Sequence, residues 1–244
     1  MTVQFLLFVK SMCSSFGIDI RRYMPGNSYW ASIACMLAHN GINLVLDVGA
    51  NTGEFATMLR KSGYKGRIVS FEPRIEAYEE LVHNANNDPL WTIAPRMALG
   101  DFDGEISMNI SENLVSSSIV NVLDAHLDAA PESRYIGSEM VPVFRLDTVT
   151  GTYAPSHART FLKIDTQGLE KQVLAGASRL IPQLKGLQLE ISLRPMYEGD
   201  GRFVDMVQSL GNMGFEACGF FDVFSDQRTG NMLQVDGIFF RENG

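Results

Sequence analysis

The 244-residue sequence predicts an α/β protein built on a doubly wound, mainly parallel sheet with one antiparallel strand. Three observations carry this. From about residue 42 to 213, short apolar segments alternate with helix-patterned ones, the order that produces βαβ units. The strand segments "NLVLDV", "GRIVSFEP", "TFLKID" and "GLQLEISL" are largely apolar throughout, as burial on both faces requires. The chain closes with "GFEACGFFDVFSD" and "GNMLQVDGIFFRE", a hairpin around residues 226–231 that sets one strand against the rest.

The elements follow in order. Residues 1–41 read as a helical extension, with Trp30, Ile33, Ala34 and Leu37 at helical spacing and Asn40-Gly41 as a stop. Residues 42–241 read as the main domain. "NLVLDV" is a strand and "GEFATMLRKSG" a helix; "GRIVSFEP" is a strand ended by Pro73 and "RIEAYEELVHNANN" a helix. "LWTIAPRMALG" is a third strand, straight or bent. Residues 101–147 read as a β-ribbon insertion, with strands "EISMNI" and "MVPVFRL" around a loop. "GLEKQVLAGASRLI" is a helix starting near Gly168, and another spans about Arg202 to Met213.

Composition removes several function classes. The net charge is -8 and no basic block stands out, so neither nucleic acid nor an anionic membrane has electrostatic support from the chain as a whole. Cys13, Cys35 and Cys218 are an odd, widely spaced set with no CxxC pair, which fits a reduced, cytoplasmic setting without disulfide or zinc. No run of about 20 apolar residues predicts a spanning helix. The apolar run from Phe5 to Val9 lacks a signal peptide's positive start. It reads as an amphipathic helix packed on the domain, or on a second subunit in a homo-oligomer, in preference to membrane attachment.

In an open parallel sheet, ligands sit beyond the carboxyl ends of the strands. Four strand ends carry an acid there: Asp47, Glu72, Asp165 and Glu190. Unpaired buried acids are costly, so such a set calls for a reason. The first turn, Asp47 to Gly53, has the pattern D-x-G-x-x-x-G. It is neither the dinucleotide G-x-G-x-x-G nor a P-loop, which needs Lys-Ser or Lys-Thr after its glycines. Gly49 and Gly53 permit a tight turn and close ligand approach, and the acid beside them favours a cationic ligand. Glu72, about 20 residues on, is placed to take both hydroxyls of a ribose. A ribose with a cationic tail and no phosphate describes S-adenosylmethionine; the competing reading is a tight turn in an unrelated α/β domain.

"VLDVGANTGEFA", "GRIVSFEP", "ALGDFDG", "FLKIDTQGLEKQVLAGA" and "VDGIFFR" together resemble the FkbM-type methyltransferases, a branch of the class I S-adenosylmethionine-dependent fold. The resemblance covers about Ile42 to Arg241. It implies a seven-stranded, Rossmann-like sheet whose last strand is antiparallel. It implies S-adenosylmethionine as donor, S-adenosylhomocysteine as product, and O-methylation of a sugar hydroxyl on a saccharide, glycolipid or glycosylated natural product. Asp165 and Glu190 as a pair are also able to hold a hard divalent ion, but no histidine accompanies them in the motifs, so no metal is expected. By matching positions, Asp47, Gly49, Asn51, Thr52 and Gly53 line the methionine and ribose part, and Glu72 binds the ribose diol. Phe71 and Pro73 flank the adenine, Met97 and Ala98 meet its ring, Asp101 reaches its amino group, and Asp165 faces the methyl group. Methyl transfer to nitrogen or to a peptide, and a non-catalytic binding module, stay open as alternatives.

A hydroxyl acceptor needs a positioned base. Asp165 is the first candidate, with Gln167 and Glu190 as catalytic partners and Lys163 near the same mouth. Asp165 is equally suited to cap the helix near Gly168, and Glu190 to sit in a buried hydrogen-bond network. Ser116 and Ser117 are placed to hold the acceptor or to form a polar turn. Arg194 and Tyr197 are candidates to line the acceptor side, with packing as the plainer role for Tyr197. His126 and His157 read as solvated loop residues.

Overall fold

The apolar runs become the strands of a seven-stranded sheet in a computed structural model that describes residues 3–113 and 117–242. Helices α1 (Val3–Ser15) and α2 (Tyr29–His39) precede β1 (Leu44–Val48), α3 (Glu54–Lys61), β2 (Arg67–Phe71), α4 (Ile75–Ala85) and β3 (Trp91–Ile93). Next come β4 (Ala98–Gly100), β5 (Gly104–Ser111), α5 (Asp124–Ala129), β6 (Tyr135–Arg145) and α6 (Leu146–Tyr153). The chain continues with β7 (Thr160–Ile164), α7 (Glu170–Ala175), β8 (Gly186–Ser192), α8 (Phe203–Asn212), β9 (Glu216–Ser225) and β10 (Met232–Phe240).

The sheet order is β3-β2-β1-β7-β8-β10-β9. Five strands run parallel, and β10 is antiparallel to both β8 and β9. The order reverses between β1 and β7, so the crevice that accepts ligands opens over those two strands. Alternate strand residues feed two cores. Leu46, Val69, Leu162 and Leu189 pack toward α7 and α8 on one face. Val45, Ile68 and Phe161 pack toward α2 and α3 on the other.

On that second face the apolar run is interrupted, in register. Ser70 pairs with Asp47, Asp47 with Lys163, and Lys163 with Gln188, so four adjacent strands contribute one polar residue each to a single row. All four are buried. Each lies inside a largely apolar segment, so period alone does not mark it.

Three expectations need correction. The segment "LWTIAPRMALG" is two strands: β3 stays on the large sheet, while β4 joins β6 and β5 in a separate three-stranded sheet. The long helix from Gly168 is instead the short α7, starting at Glu170 and stopping at Gly176. A side chain at Gly176 would lie 1.9 Å from the Gly100 carbonyl oxygen, so the backbones cross too closely there for a continued side-chain-bearing helix. Within the chain, α1 does not pack on the domain as expected; Phe5, Leu7 and Phe8 are each more than half exposed. Among the described residues, no helix is long and apolar enough to cross a membrane.

Candidate active site

The loops after β1 and β7 meet at Gly49. Its φ is +72°, and a Cβ there would lie 1.8 Å from the Asp165 carbonyl oxygen, so only glycine allows the crossing. Asn51 follows with φ +47° and donates its N–H to Glu72 Oε2 at 2.7 Å. Arg74 donates its N–H to Glu72 Oε1 at 3.0 Å. The Glu72 carboxylate thus closes the loop after β1 onto the end of β2. It is 5% exposed, and burial pushes its pKa up against the pull of those two N–H groups.

Beneath the loop, Lys163 Nζ lies 3.2 Å from Asp47 Oδ1 and 3.3 Å from Asp165 Oδ2, and donates to the Gly49 carbonyl at 3.0 Å. Ser70 donates to the other Asp47 oxygen at 3.1 Å. Burial alone would favour the neutral amine. The two carboxylates outweigh it and the pKa shifts upward, which keeps the ammonium charged.

Gln167 organises the other side. It holds φ +55°. Its Nε2 donates to Asp165 Oδ1 at 2.8 Å and to Glu190 Oε2 at 3.0 Å, while its Oε1 accepts from the Tyr197 hydroxyl. Gln234 also donates to Glu190, at 3.0 Å. Burial first, then the nearby carboxylates of Asp165, Glu170 and Asp236, pushes the Glu190 pKa up. Ser118 anchors the ribbon's loop by donating to the Gln167 carbonyl.

These elements enclose a cleft that opens to solvent. Of the residues singled out in the sequence, Gly49, Asn51, Phe71, Glu72, Pro73, Met97, Ala98, Ser117, Asp165 and Gln167 line it. Asp165 keeps about a third of its side chain exposed. Asp47 lies below the loop with no exposure, and Glu190 lies behind Gln167. Gly53 abuts Trp91 and Leu81, the Thr52 carbonyl accepts from Asn84, and Tyr197 is buried behind Gln167. Asp101 and Arg194 are exposed outside the cleft, and Ser116 lies outside the described residues.

Asp165 does not cap α7. The N-cap position is Leu169, with no side-chain cap, and Glu170 Oε1 instead accepts from the Thr166 and Gly168 N–H groups of the loop before the helix. His126 is not a solvated loop residue either; it is buried against Tyr197 and Phe224, because α5 folds the loop inward. His157 is exposed as expected. Not singled out in the sequence, Arg74, Leu99, Met108, Ile119 and Thr166 also line the cleft, as does Ser118, the last of three successive serines that offer donors to an acceptor. Arg74 directly follows the Phe71-Glu72-Pro73 strand end, so its position was available. Met108 and Ile119 come from the ribbon, whose folding over the site has no local signal. Among the described residues, no cluster of three or more His, Cys, Asp or Glu side chains is arranged to hold a metal.

A switch-point crevice flanked by acids, in a seven-stranded sheet with an antiparallel last strand, defines a Rossmann-like methyltransferase fold. The chain belongs to the FkbM methyltransferase domain family, whose model matches residues 47–220. A comparison with curated protein sequences finds no match. Among solved structures, the O-methyltransferase of Bacillus cereus, in complex with S-adenosylhomocysteine, is similar at a TM-score of 0.50 and 11% identity, covering 99% of this chain and 92% of that one. Magnesium protoporphyrin IX methyltransferase of Synechocystis, with bound S-adenosylmethionine, has a TM-score of 0.47 and 13% identity, covering 97% and 96%. Aeropyrum pernix fibrillarin has a TM-score of 0.46 and 12% identity; the match covers 81% of this chain and 66% of the fibrillarin.

Two outcomes follow from the buried charges. Lys163→Met should lower the unfolding free energy by about 3–5 kcal/mol, since Asp47 keeps its buried charge without its cation; a loss under about 1 kcal/mol in urea denaturation would mean Asp47 is neutralised otherwise. Burial pushes Glu170 from 4.5 up to about 7, so between those values the folded chain holds a proton that the unfolded chain releases. Stability should therefore fall as pH rises from about 4.5 to 7. Glu170→Gln should flatten that slope in denaturation series across pH, and an unchanged slope would remove Glu170 as its source.

Proposed function

We propose that the chain is an S-adenosylmethionine-dependent methyltransferase acting on a sugar hydroxyl of a saccharide, glycolipid or glycosylated natural product. The observation that carries this is the Glu72 carboxylate, buried at the end of β2 and facing the cleft, with one backbone N–H on each oxygen among the described residues. A carboxylate has about four acceptor sites, so two remain for a ribose diol. The rest of the cleft suits the same ligand. Phe71, Met97 and Leu99 offer an apolar wall for an adenine, and Asp165 sets a carboxylate where a cation is welcome.

S-adenosylmethionine, when bound, supplies the methyl group on a sulfonium. This chain's residues then bind, orient and accept a proton. An acceptor hydroxyl held against Asp165 would pass its proton to that carboxylate as its oxygen takes the methyl group from sulfur. The products are the methyl ether and S-adenosylhomocysteine. Asp165 is held for this role by Lys163 on one oxygen and Gln167 on the other. Glu190 orients Gln167 rather than touching the acceptor. Ser117 and the ribbon residues Met108 and Ile119 close the opposite wall, where the acceptor enters. The family relationship and the fold of the O-methyltransferase of Bacillus cereus support the methyltransferase part; the sugar acceptor rests on the family resemblance.

Calorimetric titration with S-adenosylmethionine tests the donor. Glu72→Ala should weaken binding by about tenfold to a hundredfold, through loss of hydrogen bonds to a charged group; an unchanged affinity would remove Glu72 from the ribose. Asp165→Asn should lower kcat by about a hundredfold or more, read as the mass gain of one methyl on a saccharide acceptor, and should cost less in cofactor affinity than in turnover. Full turnover by that variant would exclude Asp165 as the base. Methylation confined to amine acceptors would overturn the sugar assignment.

A further inference from the structure

Nine of the twenty large apolar side chains that stand exposed among the described residues fall between Phe5 and Met24. Soluble monomers rarely gather such a patch without a partner. In α1, Phe5, Phe8 and Met12 form one stripe by their spacing, but Leu7, 61% exposed, stands outside it. Beyond the helix the pattern changes to alternation, with Phe16, Ile18 and Ile20 separated by Gly17 and Asp19, followed by Arg21, Arg22 and Tyr23. Gly17 and Gly26 bracket this stretch in left-handed conformations, with open space where a side chain would be.

The charge is segregated in the same way. Residues 3–28 hold Lys10, Arg21 and Arg22 against Asp19 alone, a net +2, so the rest of the chain carries -10 of the total -8. The acidity of the whole chain, which argues against anionic surfaces, therefore hides a basic and apolar segment.

We propose that residues 5–24 are a docking surface for an anionic lipid bilayer. A second copy paired through the α1 stripe would leave Leu7 and residues 16–24 in water. A bilayer interface takes apolar side chains from helix and extended chain alike. Basic and aromatic side chains side by side, as in Arg21, Arg22 and Tyr23, suit the headgroup level. The acidic remainder is repelled by the same surface, which confines contact to the segment and holds the domain off the membrane. This surface is separate from the cleft and does not depend on the activity proposed for it.

Vesicle flotation of the full chain tests it. The chain should float with vesicles of mixed phosphatidylcholine and phosphatidylglycerol, far less with phosphatidylcholine alone, and should be released by salt. A Lys10→Gln/Arg21→Gln/Arg22→Gln variant should lose about a hundredfold in partition, given the contribution of each basic residue near an anionic surface. A Phe5→Ser/Phe8→Ser/Phe16→Ser variant should not float, while its circular dichroism and S-adenosylmethionine titration match the parent. Absence of flotation with both vesicle types would overturn the proposal. So would a dimer in light scattering that the Phe→Ser variant converts to monomer without any lipid binding.

Discussion

One buried ammonium ties the two halves of the sheet together at the place where the cleft opens. Lys163 sits in β7, next to β1, and its Nζ touches Asp47, Asp165 and the Gly49 carbonyl. Removing such a group from water costs several kcal/mol. The cost is offset because its neighbours are placed by pairing, not by chance. Strand register sets Asp47 opposite Lys163 and Ser70 opposite Asp47. The row is therefore as rigid as the sheet itself, and no side-chain entropy of a long exposed ion pair is lost in forming it. A slip of one residue in β7 would point Lys163 into the other core, which strongly penalises the wrong register.

The same ion constrains the loops. Because Lys163 holds the Gly49 carbonyl, the turn after β1 has to pass within contact of Asp165, and a glycine follows as a steric necessity. Asn51 and Gln167 then take left-handed backbone that non-glycine residues seldom adopt. Each has hydrogen bonds that oppose the strain: Asn51 to Glu72, and Gln167 to Asp165, Glu190 and Tyr197. Strain of this kind persists only where surrounding structure over-determines it, and it collects at functional sites. The ribbon joins the same frame through Ser118 on the Gln167 carbonyl and through the pairing of Val122 with Tyr197. The cleft wall built far away in sequence is thus referenced to β7.

Much of this frame was legible in the sequence, and the illegible parts share a cause. Parallel strands announce themselves through apolar runs, and the strand-end position of Glu72 and Asp165 follows from the rule that ligands meet the carboxyl ends. What one strand cannot announce is its neighbour's register. Asp47 reads as a ligand contact in isolation, yet pairing turns it toward Lys163, below the loop. The early stop of α7 has a distant cause too: Gly176 passes too close to the Gly100 carbonyl for any side chain there. His126 was misjudged for a similar reason: α5 carries it against Tyr197 and Phe224, contacts that lie 71 and 98 positions along the chain and leave no local pattern.

Similar carboxylic acids near one crevice end in different states, and burial sorts them. Asp47 is fully buried but has a cation and a hydroxyl beside it. Glu190 is also buried, and burial and the acids around it push its pKa up against the pull of Lys163, while two amide donors, from Gln167 and Gln234, hold its carboxyl group. Asp236, close by, is pushed up to about 6 by burial and by Asp165. Glu72 is held by backbone N–H groups at the cleft wall, and Asp165 alone combines a cation, an amide donor and substantial access to solvent. One amide side chain, Gln167, donates to two acids at once and, with Lys163 on the other oxygen, holds Asp165 in place at the cleft wall.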